Sequence, residues 1–407
     1  MEANNKSKLF TYENGLLLLL GFTFGIVFFD RNAIGNLAPY IIPDLKLDQT
    51  QLGMLGSGLS LAWAISAYAI GAMSDKSGVR KPFLLLSVLV FSLCSALSGI
   101  AGTFMLLLLS RVVMGLSEGP FLPICFAIMN VESSPSRRGV NAGLMQNFFA
   151  SLLGTTVAPL VLPWLADNYG WRTAFYLSAA PGLICAALIW LFVREPKAIA
   201  LAANEPATAK PGMLEMFKQR NIVVCSGIAV FMISWYLVGL IFLPVYFTAA
   251  RGMTPDVAGQ VIAPMGIATM VCGFIVPWIS DRIGRKPTMI IFTFIGLLTP
   301  IAAVHFDGPL WLLSVLMLIG WSASGSFAVF MGVIPSETVP RALAASSMGL
   351  VVGAGEIVGG VLSPTISGAL ADSHGLIAHM EVMMVCALIG GILSLFLTET
   401  APNKLKA

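Results

Sequence analysis

Twelve stretches of this 407-residue chain are long and apolar enough to cross a lipid bilayer, and no other feature limits its fold so tightly. A spanning helix needs about 20 mainly apolar residues to cross a hydrocarbon core of roughly 30 Å. Bounded by charge, glycine or proline, the runs fall at 15–40, 52–73, 82–101, 104–128, 141–166 and 173–193, then at 222–247, 256–279, 287–305, 309–333, 342–371 and 378–398. Only 11% of the residues are charged, whereas soluble domains carry about 25%. Too few remain to cover a water-exposed surface, which excludes a soluble enzyme. The first run continues through Leu37 and Tyr40 without a small-residue cleavage site, so it is expected to be a helix and not a signal peptide.

The net charge is +3 and the 23 Lys and Arg are scattered, with no basic stripe to track a phosphate backbone, so no nucleic-acid partner is expected. All six cysteines lie in apolar stretches without a CxxC pair, as buried small hydrophobes do. His305, His374 and His379 stand where apolar runs stop, and no metal site is expected. With the N-terminus inside, 18 of the 23 basic residues fall on the inner face, which predicts two cytoplasmic termini. Short external loops, and a single glycosylation-type tripeptide (Asn5-Lys6-Ser7) on the inner side, predict a multi-pass protein of a bacterial inner membrane. A monomer is expected.

The loop GAMSDKSGVRKP (Gly71 to Pro82) returns as PWISDRIGRKP (Pro277 to Pro287), with Asp75 and Gly78 matching Asp281 and Gly284 at an offset of 206 residues. Gly143 and Gly154 match Gly349 and Gly360 at the same offset. The chain therefore divides into an N-terminal six-helix half (1–193), a cytoplasmic linker rich in Ala, Pro and charge (194–220) and a C-terminal six-helix half (221–407). The expected fold is an all-α membrane protein of twelve transmembrane helices, in two parallel halves around a central cavity. The duplicated G-x-x-x-D-[KR]-x-G-x-[KR] loop, the twelve helices and the long linker resemble the major facilitator superfamily, in which two six-helix halves are paired as parallel repeats. That resemblance implies that the loops gate the cytoplasmic side, through Asp75 and Arg80 in one copy and Asp281 and Arg282 in the other. Pro277 departs from it, standing where the second copy would have its first glycine.

Ionisable residues near helix centres cost at least about 2.5–3.5 kcal/mol each on insertion scales, so they need partners or a wet cavity. Helix 1 carries Asp30 and Arg31, helix 4 carries Arg111 and Glu118, and helix 11 carries Glu356. At about 1.5 Å rise per residue, Arg111 reaches the depth of Asp30 and Arg31. Arg111 and Glu118 are seven residues apart and project from one side of helix 4, with Gly115 opening a notch beside the arginine for a backbone or a ligand. An aqueous anion site is favoured over a set of buried salt bridges, because apolar residues would lock the helices with a smaller desolvation penalty.

D-R in helix 1 followed by R-x-x-x-G-x-x-E-G-P in helix 4 resembles the anion:cation symporter branch, carriers of sugar acids, hexuronates and other organic anions. That resemblance implies a substrate carboxylate held by Arg31, protons carried by Asp30 and Glu118, and Arg111 organising the acids and contributing to the anion site. Gln146 either contacts substrate, as its match to sugar-acid carriers implies, or makes an interhelical hydrogen bond. Trp235, Tyr236 and Ser324 are candidates for the opposite wall, and Glu356 is either a further coupling acid or a cavity-facing bystander. Together these features predict proton-coupled symport of a small organic anion by alternating access, with protons as the coupling ion and no other cofactor. A proton-driven exporter is the alternative. Gly115 to Gly119 spells GxSxG, but a nucleophile elbow needs a strand-to-helix turn and a partner His, so no enzyme is expected.

Overall fold

The computed structural model describes residues 11–134, 137–195, 218–340 and 343–405. Residues 196–217, most of the expected linker, lie outside this set, as do Lys6, Lys8, Arg341 and Lys406 and the tripeptide at Asn5. Among the described residues twelve helices are long and apolar enough to span a membrane. The first six are α1 (Tyr12–Leu45), α2 (Gln49–Ser77), α3 (Lys81–Gly99), α4 (Phe104–Glu132), α5 (Arg138–Tyr169) and α6 (Trp171–Phe192). The second six are α7 (Arg220–Ala250), α8 (Pro255–Ile283), α9 (Arg285–His305), α10 (Leu310–Thr338), α11 (Ser346–His374) and α12 (Ile377–Ser394). Among the described residues there is no strand.

Each apolar run becomes one of these helices, and most helices extend beyond the run into polar residues that finish the backbone hydrogen bonding. Thr103, for example, sits just before α4 and its side chain accepts from Leu106 N at 3.3 Å. Helix ends leave such donors without partners, and a threonine at this position satisfies one of them.

Several helices lose regular α geometry at mid-depth. In α1 it stops at Asn32, immediately after Arg31; the Asn36 side chain donates to the Asn32 carbonyl at 2.9 Å, and the Asn32 side chain donates to the Gly154 carbonyl of α5 at 2.8 Å. Helix α4 turns at Gly119–Pro120, directly after Glu118, whereas the sequence predicts a continuous helix there. Helix α5 is π-helical over Leu144–Phe149 and Ser151–Val157, and α11 over Gly355–Gly360. In α10 a 3-10 segment, Ser322–Ser326, precedes a π segment, Val329–Val333. Such departures inside α-helices recur at functional sites, and here they surround one cavity.

The two six-helix sets touch most closely at the end away from the described chain termini. There a side chain at Gly53 of α2 would collide with the Pro364 carbonyl of α11, and one at Gly368 of α11 with the Gln49 carbonyl. Ser57 and Thr365 share a hydrogen bond of 2.8 Å, and Asp372 accepts from the backbone N–H groups of Gln49 and Thr50, each at 2.8 Å. Toward the terminal face the same helices part: Gly349 and Gly353 of α11 have open space beside them and Tyr68 of α2 is 84% exposed. The molecule is closed at the far face and open toward the terminal face.

Candidate functional site

Between the halves lies a cavity of about 460 Å³ lined by α1, α2, α4, α5, α7, α8, α10 and α11. Segments that leave α geometry contribute to its wall: Gln146 and Thr155 from α5, Ser324 and Met331 from α10, and Glu356 from α11. An irregular backbone at membrane depth is tolerated where it lines a water-filled space.

Arg31 reaches this cavity. It stands at the end of the first segment of α1, its guanidinium 5.8 Å from the Phe28 ring centre and 5.7 Å from that of Trp63, and Nη2 donates to Ser60 Oγ at 3.4 Å. Among the described residues no carboxylate lies within 4 Å of its nitrogens. Its charge acts at longer range on Glu118 of α4 and Glu356 of α11. Glu118 is buried, with both carboxyl oxygens lacking a hydrogen-bond partner, and one oxygen of Glu356 is in the same position.

Arg111 lies elsewhere, contrary to its expected place at the anion site. It is fully buried behind the cavity, donating to Ser98 Oγ and, at 3.4 Å, to the Asp30 backbone carbonyl, with the Phe175 ring 5.3 Å away. It touches only a gap of about 30 Å³ beside Arg31. The notch at Gly115 is filled by the Leu59 carbonyl of α2, so α4 and α2 close over the arginine. Asp30 is sealed in the same layer: Ser95 Oγ donates to its Oδ1 at 2.7 Å, while Oδ2 has no hydrogen-bond partner.

On the opposite wall, Tyr236 and Ser324 line the cavity, with Ser324 Oγ donating to Thr269 Oγ1 at 3.1 Å. Trp235 does not, which corrects its expected role. It points into the C-terminal half, its ring centre 4.5 Å from that of Trp321, and its Nε1 donates to the Gly296 carbonyl at 3.1 Å. Gln146 lines the cavity together with Asn147 and Thr269, two polar groups not singled out by the sequence. Asn147 follows Gln146 in a polar pair within an apolar run, a visible signal; Thr269 gave none. The Ser117 hydroxyl of the GxSxG string donates to the Met114 carbonyl at 2.7 Å, as a helix serine does.

The repeated loops build matching clamps on the terminal face. Arg80 Nη1 donates to Ser74 Oγ at 2.8 Å, and Arg285 Nη1 to Ser280 Oγ at 2.6 Å. Glu195 accepts from the backbone N–H groups of Arg80 and Lys81, and Glu399 from those of Arg285 and Lys286. Each glutamate therefore ties the end of its half to the N-terminus of α3 or α9. In the second copy Arg285 bonds to Asp281 at 2.5 Å and Glu337 at 2.8 Å, while Arg282 lies over the Trp278 ring at 3.6 Å. The Asp75 side chain lies outside the described ones.

The model of the Major Facilitator Superfamily matches residues 20–357. The chain belongs to that superfamily. Among its relatives is a probable 4-methylmuconolactone transporter of Cupriavidus pinatubonensis, 29% identical over 85% of this chain and 82% of that protein. The hexuronate transporter of Bacillus subtilis is 25% identical, covering 88% of each chain. Among solved structures, a bacterial homolog of the human lysosomal transporter Spinster, in an inward-facing and unoccupied conformation, superposes with a TM-score of 0.76 at 18% identity, covering 95% of this chain and 97% of that one. As a superfamily member, the protein is a multi-pass transporter with its cavity between two helix bundles.

Proposed function

We propose that the protein carries a small organic anion together with a proton, by alternating access across a bacterial inner membrane with both termini in the cytoplasm. The observation that supports this most is Arg31: a guanidinium on the cavity wall, held by one long hydrogen bond to Ser60 and with no carboxylate within 4 Å among the described residues. A cation so placed in a membrane calls for an anion, and the relatives named for hexuronate and 4-methylmuconolactone fit that chemistry.

Charge balance supports the coupling. The cavity and the layer behind it hold Arg31 and Arg111 against Asp30, Glu118 and Glu356. With one acid protonated this set is neutral. An arriving anion adds one negative charge inside a medium that penalises unbalanced charge, and a proton on a second acid cancels it. Glu118 is the principal proton site, since the Arg31 charge acts on it at longer range and neither of its oxygens has a hydrogen-bond partner. Asp30 is the second, beside Arg111. Trp235 and Arg111 act from behind the wall, and the Asp281–Arg285 pair with the Asp75 loop forms the terminal-face gate.

Uptake of organic acids into proteoliposomes, with and without an imposed proton gradient, tests the proposal. An inward proton gradient should drive accumulation, and Arg31→Lys should raise KM by about 10- to 100-fold, because the ammonium keeps the charge but loses two-point recognition of a carboxylate. Uptake indifferent to the gradient would remove the proton, and near-normal KM in Arg31→Lys would remove the clamp.

A further inference from the structure

Resting on the anion-carrier proposal, we infer that the cavity selects a monocarboxylate with a compact apolar ring, and that Glu356 is the residue that rejects a second negative charge. Two observations lead there. The first is that the cavity holds one arginine where the sequence predicted two. Arg111 is fully buried behind the wall, engaged with Ser98 and the Asp30 carbonyl, so only Arg31 meets a solute. Across from it, on the C-terminal wall, stands Glu356, with one oxygen unpartnered and within reach of the Arg31 charge. A monoanion at Arg31 meets one cation. A dianion must direct its second carboxylate into a wall whose remaining charged group is an acid, and like charges at close range in a poorly screened space repel.

The second observation concerns the rest of the wall. Phe24 and Phe28 pack 5.0 Å apart on one side, and Tyr236 and Phe327 5.4 Å apart on the other, with Met331 beside them. Polar groups gather on the α5 side at Gln146, Asn147 and Thr155, while Ser324 donates to Thr269, Thr269 donates to the Met265 carbonyl and Asn32 is committed to Gly154. A polyhydroxylated acid would press several hydroxyls against rings, and each one stripped of water without a new partner is penalised. A ring with one carboxylate and at most one polar edge matches both sides.

A matched series separates the possibilities. Binding of cyclohexanecarboxylate, trans-cyclohexane-1,4-dicarboxylate, cyclohexanecarboxamide and glucuronate to the purified full-length protein would be measured by calorimetry at neutral pH. The monocarboxylate should bind at least about ten-fold more tightly than the dicarboxylate and than glucuronate, and Glu356→Gln should bring the mono- and dicarboxylate within about three-fold of each other. Equal binding of both acids by the unmodified protein, or a ten-fold gap that persists in Glu356→Gln, overturns the charge filter. Tighter binding of glucuronate overturns the apolar body while leaving the anion carrier intact. Carboxamide binding equal to that of the carboxylate removes the anion carrier itself, and silence of all four probes overturns the substrate class. Glu356→Asp, which keeps the charge, should preserve the discrimination, so a folding defect in the glutamine variant is distinguishable from loss of the filter.

Discussion

Arg31 and Arg111 lie at similar depth on neighbouring helices, and water reaches only one of them. Their type and depth were legible in the sequence, because a charge inside an apolar run has few explanations. Their sidedness was not: it is fixed by Ser98, Phe175 and the approach of α2 at Gly115, contacts made by other helices. Trp235 shows the same limit. A tryptophan near mid-helix reads equally well as a ligand contact or as packing, and what decides it is a carbonyl 61 residues away, at the break in α9 between Ile295 and Leu298. The indole N–H satisfies the Gly296 carbonyl there. Trp235→Phe leaves that carbonyl buried without its donor, at a cost of about 1–3 kcal/mol. Thermal unfolding in detergent should therefore move to lower temperature, while KM for a transported anion stays within about two-fold of the unmodified protein, as the bracing role behind the wall requires. A large rise in KM with unchanged unfolding would return Trp235 to the substrate site.

Helices carry the next level of information, and here the existence of all twelve was plain from hydropathy while their irregular segments were not. The π segments of α5 and α11 and the 3-10 turn of α10 contain no proline, and the glycines and serines of GEIVGG and SASGS read equally well as close helix packing. Asp372 could have been found. An acid in the last turn of α11 sits at the unfavourable end of its own helix dipole, which asks for compensation from elsewhere. That compensation is the N-terminus of α2 in the other half, where Asp372 accepts from Gln49 N, Thr50 N and, at 2.5 Å, Thr50 Oγ1. The equivalent corner of the pseudo-repeat is built differently: Asp167 of α5 accepts from the Tyr40 hydroxyl at 2.7 Å within its own half, and α8 begins at Pro255, which lacks an N–H. The far face is thus latched on one side, and opening it must break the latch. Asp372→Ala should shift the balance toward the far-face-open form by about 0.5–2 kcal/mol, the usual range for a lost cap. A cysteine placed at Ser57 should then react severalfold faster with a membrane-impermeant maleimide applied from the far side, and equal rates would show that the latch does not hold the gate.

At the level of the whole molecule, rocking of two halves requires each half to move as a unit, and the twin glutamates supply such rigidity. The sequence repeat revealed the loops but not Glu195 and Glu399, because the residues they clamp lie more than a hundred positions earlier. Both close one six-helix set upon itself, joining the chain after its last helix to the N-terminus of its third. Neither crosses between halves, so neither opposes the rocking. Burial alone would raise the Glu399 carboxyl, but the backbone N–H groups of Ala401, Arg285, Lys286 and Thr400 outweigh it and hold the group below its ordinary value. A carboxyl depressed in the folded state contributes stability that is complete above its unfolded value of about 4.3 and is lost as pH falls through the depressed one. Glu399→Gln should therefore unfold at a lower temperature than the unmodified protein at neutral pH, and the gap should close as the pH is lowered below about 4. Differential scanning of both proteins across that range checks it: a gap that is constant with pH would mean that Glu399 acts through shape and not through its charge, and the clamp would then have to be assigned to the Arg285, Asp281 and Glu337 cluster beside it.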